Sequence, residues 1–136
     1  MKILFAAALA FALTGCARGL LADDPVDPQQ VAASEAAADA ALDAVISCTE
    51  PKVAYYASAP DAAADVAADV AAAIVGACNA PVTAYANSVE RTCGISLRGN
   101  VHAARSCAAL KQDIRSDLQQ NIANRVVQQR AKQAAR

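Results

Sequence analysis

Alanine occupies 38 of the 136 positions, and that fact narrows the folds open to this chain more than any other. Alanine is the best helix former and fills little space, so a chain built on it makes strong helices and thin cores. The other apolar residues do little to offset this. Both phenylalanines (Phe5, Phe11) and the single methionine (Met1) belong to the extreme N-terminus, and there is no tryptophan. Beyond Cys16 the only rings are Tyr55, Tyr56, Tyr85 and His102. Such a module has helices but little apolar area to hold them together. Small domains in that position commonly rely on covalent staples.

The N-terminus indicates where the staples could form. Met1-Lys2 gives a positive start, Ile3 to Leu13 an apolar run, and Thr14-Gly15 two small residues before Cys16. The run is too short to cross a bilayer as a helix and reads as a secretory signal. Leu13-Thr14-Gly15-Cys16 resembles the lipobox of bacterial lipoproteins, a resemblance that goes no further along the chain than Cys16. It implies that residues 1–15 are removed, that a diacylglycerol joins the Cys16 thiol, and that the new amino group is acylated. Two or three acyl chains hold a protein at a membrane where one binds only marginally. An aspartate after the cysteine would favour the inner membrane, so Ala17 implies an outer-membrane lipoprotein facing the periplasm. The alternative is an ordinary signal cut elsewhere, for example after Ala17, with Cys16 discarded or left as a free thiol.

Four cysteines remain: Cys48, Cys78, Cys93 and Cys107. An even number in a small exported domain reads as two disulfides, for which three pairings exist. Cys48–Cys78 with Cys93–Cys107 is the favoured set. Closing loops of about 15 to 30 residues contributes on the order of 3 kcal/mol each in the chain-entropy description. A metal or redox site is the weaker alternative, since no two cysteines have C-x-x-C spacing and one histidine is a poor start for a ligand set. No cofactor and no metal is expected.

Residues 16–30 read as a lipidated N-terminus and acidic tether, with Asp23, Asp24 and Asp27 set among Pro25 and Pro28. Residues 31–127 read as a helical domain, and 128–136 as a basic polar tail. Five helices are expected: one from about Gln29, a short one restarted by Pro51, and one capped by Asp61 through Cys78. A fourth runs from Pro81 to about Thr92, stopped by Gly94, and the last from about Val101 into the tail. Leu110, Ile114, Leu118, Ile122 and Val126 lie four apart, as the apolar seam of that last helix.

Setting the chain against itself reveals an internal similarity. Asp39, Val45, Cys48, Pro51, Tyr55 and Ser58 fall on Asp69, Val75, Cys78, Pro81, Tyr85 and Ser88. Two units are too few for a solenoid, so a pair of pseudo-repeated helical hairpins closed by the last helix is expected. Cysteines at equivalent helix ends would lie near one another, which favours Cys48–Cys78.

Charge is sorted along the chain. Residues 16–90 carry two cations against eleven carboxylates, and residues 91–136 carry nine cations against two. A basic closing helix docked on acidic helices accounts for the near-neutral total. The sharper alternative makes Arg125, Arg130, Lys132 and Arg136 a surface for an anionic envelope component. Nucleic acid is not an expected partner of an exported chain.

The residues offer little catalytic machinery. His102 is the only histidine, and the disulfide reading leaves it no thiol to activate. Glu35, Asp39 and Asp43, like Asp61, Asp65 and Asp69, recur at every fourth position, as on a solvated helix face. No Gly-rich phosphate loop, HExxH or GxSxG occurs. Tyr55 and Tyr85 read as bulky plugs in a small-residue core, or else as the lining of a groove. The expectation is an all-α, alanine-rich, disulfide-stapled bundle with no enzymatic activity and a structural or protein-interaction role against an envelope protein partner. An exported ligand-binding or inhibitor protein is the alternative.

Overall fold

The computed structural model describes residues 26–59, 66–98, 100 and 102–136; these form four α-helices, with no strand among them. The first, α1 (Pro28–Ser58), begins where the sequence supplies both start signals: the Asp27 carboxylate accepts the Gln29 N–H at 2.9 Å, and Pro28 takes the first helical position. The end of the segment assigned to the tether, from Pro28 to Gln30, therefore belongs to a helix. Ala59, which precedes a proline in the sequence, is extended and ends α1. Next come α2 (Ala67–Ala77), α3 (Asn79–Ser96) and α4 (Ala103–Ala134). At about 1.5 Å per residue, α1 and α4 are each roughly 45 to 50 Å long.

Disulfides and hydrogen bonds fix the register. Cys48–Cys78 ties the middle of α1 to the start of α3, with Cα atoms 6.0 Å apart. Near the other end of the pair, the Thr92 hydroxyl lies 3.2 Å from the Ser34 carbonyl, and Arg98 donates to Gln30 at 3.0 Å. α3 therefore runs antiparallel to α1. Cys93–Cys107, with Cα atoms 5.6 Å apart, folds α4 back along α3. The Asn100 side chain accepts the His102 N–H at 2.9 Å and its carbonyl accepts that of Ala103, which starts α4. The all-α, disulfide-stapled architecture and both favoured cysteine pairings are present.

The core gathers at the end where α2 covers α1 and α4. Val45 and Val53 of α1 meet Val70, Ala71, Ile74 and Val75 of α2, Val82 of α3, and Ile122 and Val126 of α4. Its largest fully buried side chains are one isoleucine and several valines, with Cys78 among them. This is the thin core that the composition dictates. Its small apolar area explains why two cross-links matter in so short a chain.

Several boundaries differ from the sequence reading. Pro51 does not restart the chain: α1 continues through it, so the first of the two similar units is one unbroken helix. A proline removes one intrahelical hydrogen bond, here to the carbonyl of exposed Ser47. The flanking carbonyls gain side-chain donors, Thr49 Oγ1 to Ile46 and Lys52 Nζ to Cys48, each at 3.4 Å. Gly94 does not stop α3, which reaches Ser96 and starts at Asn79 rather than Pro81. The cap expected at Asp61 lies outside the described residues. α4 continues to Ala134, through most of the segment assigned to a polar tail. The seam on α4 is only partly buried: Ile114, Ile122 and Val126 are, but Leu110 is 38 % exposed. Positions four apart advance about 40° around a helix at each step, so a long row of them cannot stay on one face.

Candidate functional site

The sequence-derived site residues fall into three places. Cys16, the lipid-attachment position, lies outside the described residues. The four other cysteines are the disulfides and do not titrate. The tyrosines and the basic residues of α4 lie on the surface of the bundle, where their geometry can be compared.

Tyr55 and Tyr85 occupy equivalent positions in the internal similarity but different environments. Tyr85 packs against the core, whereas Tyr55 is 68 % exposed and its neighbour Tyr56 packs instead. The Tyr55 and Tyr56 rings meet edge to face, 5.3 Å between centroids. Burial holds the Tyr85 phenol protonated to higher pH than usual, and the nearby Asp39 carboxylate pushes its pKa up further. The antiparallel register set by Cys48–Cys78 and Thr92–Ser34 puts Tyr85 about level with Asp39 on α1, whereas Tyr55 stands more than four helical turns further along the same helix. At about 1.5 Å of rise per residue the separation is roughly 24 Å, too far for the two rings to line one groove.

The basic residues of α4 are likewise divided. Arg125 pairs with Glu50 of α1 at 3.2 Å, an instance of a basic closing helix docked on an acidic one. Lys132 and Arg136, with Gln129 and Gln133, border a shallow depression of about 190 Å³ near the end of the helix. Arg130 is half-buried beside them. Cations in a last helical turn also complement the helix dipole, so this arrangement has a local structural use. His102 is exposed and precedes α4, with no nucleophile held against it by any hydrogen bond among the described residues.

A further surface feature, among the described residues, escaped the sequence reading. α3 and α4 face each other across Thr83, Ala86 and Ala108, and these short side chains leave an open groove of about 510 Å³. Val82, almost fully buried, forms part of its floor. Lys111, Gln112 and Arg115 of α4 line one side, and Glu90 of α3 the other. Lys111 spans to Glu90 at 2.7 Å, while Arg115 donates to the neutral side chain of Asn79. An apolar floor with a cationic wall, open to solvent, suits an elongated partner better than a small molecule, which would need enclosure. The signal was present as alanines at facing positions, but it became legible only once the pairing of α3 with α4 was known. No group of three or more His, Cys, Asp or Glu suited to a metal ion occurs among the described residues. No family model, curated protein or solved structure matches this chain.

Proposed function

We propose that this chain is an exported bacterial lipoprotein, anchored in the outer membrane through acyl chains on Cys16. In this reading its stapled helical module plays a structural or protein-interaction role in the cell envelope. The observation that carries the proposal is the Leu13-Thr14-Gly15-Cys16 segment behind a short apolar run. The two disulfides support it, because cross-links of this kind persist in oxidising compartments and a core this thin needs them. The open α3–α4 groove and the sorted charge suit contact with another protein more than turnover of a substrate. Ligand binding through paired tyrosines has less support, since Tyr55 and Tyr85 stand apart.

Two measurements test the anchor. Cys16→Ser should shift the protein from the membrane fraction to the soluble one. Intact-mass spectrometry of the parent chain should show a mature start at Cys16 carrying acyl groups. An unmodified sulfur there, or unchanged fractionation of the variant, would refute lipidation.

A further inference from the structure

We infer that the α3–α4 groove receives the acidic face of α1 from a second copy of this chain, giving weak, salt-sensitive, head-to-tail self-association. The inference concerns the folded module and does not rest on the lipid anchor.

Three observations lead to it. First, the two surfaces are complementary in charge and spacing. Glu35, Asp39 and Asp43 form an exposed row on α1, four positions apart, and Lys111 and Arg115 stand four apart on the groove wall. Both rows therefore repeat at about 6 Å, so carboxylates can meet cations in register. Secondly, Lys111 is shared with Glu90 of its own groove, but the other charges concerned have no oppositely charged partner among the described residues. No cation lies within 4 Å of Glu35, Asp39 or Asp43 among the described residues, and Arg115 is held by a neutral amide rather than a carboxylate. No residue of α1 lines the groove, so the row does not reach it within one molecule.

Thirdly, the shapes fit. The groove floor is short side chains, Ala86 and Ala108, into which a helix ridge can settle. The α1 face that carries the carboxylates is itself a ridge of alanines, including Ala32, Ala36 and Ala40, with Ile46 39 % exposed at its end. That ridge can lie along the floor while its acidic flank meets the cationic wall. Because groove and ridge are different surfaces, the contact is heterologous and can propagate from copy to copy.

Charge reversal tests this. The purified full chain, in density-matched detergent, is examined by sedimentation equilibrium over a hundredfold concentration range. The expected result is a mass that rises above the monomer at low salt and returns to it at half-molar salt. Gln112→Glu with Arg115→Glu leaves the Lys111–Glu90 pair intact and should abolish the rise; Asp39→Lys with Asp43→Lys should do the same. All four positions are exposed, and unchanged helical circular dichroism confirms that each variant folds. Mixing the two variants should restore association, because each reversed surface now meets its opposite. A parent chain monomeric throughout, association indifferent to the reversals, or a mixture that stays monomeric would each overturn the inference.

Discussion

Residues 39–58 and 69–88 share an aspartate, a valine, a cysteine, a proline, a tyrosine and a serine at matching positions, and they fold differently. In the first segment the helix passes unbroken through the cysteine and the proline. In the second it bends by 81° between α2 and α3 at Cys78, whose φ of −101° and ψ of 24° depart from helical values. Some local detail is retained in both copies. Ser58 donates to the Tyr55 carbonyl at 3.0 Å, and Ser88 to that of Tyr85 at 2.7 Å. Val45 and Val75 are both buried, and the two cysteines bond to each other.

What separates the copies is the surrounding apolar content. Val70, Ala71, Ile74 and Val75 crowd one short helix, and all are at most 4 % exposed. That face can be buried only by folding α2 over the ends of α1 and α4, which forces a turn away from the line of α3. Gly76 and Asn79 stand where the first copy has Ile46 and Thr49, so the second segment also resists bending less. A shared local pattern thus permits two geometries, and the burial available to each copy selects between them.

The disulfide that joins the copies offers the strongest way to break this comparison. Replacing Cys48 and Cys78 together by alanine releases a link across 30 residues and should lower stability by about 3 to 4 kcal/mol. Thermal unfolding of the double variant should fall by well over ten degrees, at about 4 to 8 °C per kcal/mol. The same exchange at Cys93 and Cys107, 14 residues apart, should cost somewhat less. Equal melting of the parent chain with and without reductant would show that the cross-links carry no stability.

The prolines sharpen the contrast. Pro51 sits inside a helix, whereas Pro81 is the third residue of one, where the missing N–H has no partner to lose. Pro51→Ala should therefore stabilise by about 2 kcal/mol, and Pro81→Ala by less than about 0.5 kcal/mol. Denaturant titration that finds the two equal would contradict the assigned geometries.

Gly76 tests whether the bend depends on glycine. A Cβ at that position meets nothing within 4 Å, so Gly76→Ala should stabilise α2 by about 0.5 to 1 kcal/mol and leave the bend in place. A destabilised variant would show that the turn at Cys78 needs the flexibility of glycine.

The smallest effect concerns Tyr85, the partly buried member of its pair. Its phenol ionises above the ordinary range because of burial first and Asp39 second. The unfolded chain then loses its proton first. The corresponding stability is intact below about pH 10 and falls as pH rises from there through the higher folded value. Asp39→Asn should bring the Tyr85 transition part of the way down in an ultraviolet absorbance titration of the phenolate; no movement would remove Asp39 as a cause.

Much of the fold was legible from residue types. Alanine content pointed to helices and the shortage of large apolar residues pointed to staples, whereas Asp27-Pro28, read as part of a tether, is where α1 starts. The internal similarity favoured the Cys48–Cys78 pairing, which the structure contains. Helix ends were harder to place because Pro51 and Gly94 are breakers only by tendency, and neighbouring helices override a cost of this size. The candidate groove was not legible at all. An alanine at position 86 or 108 looks like any of the other alanines until a partner helix is set against it.

Side-chain size and the number of thiols were enough to make this chain helical, cross-linked and poor in core, and both can be read off the residues in order. Helix packing decided that one copy of a shared pattern runs through while the other turns. It also decided where small residues face each other across an open channel. Both outcomes depend on which apolar faces come together, and that is a property of helix pairs rather than of any single segment.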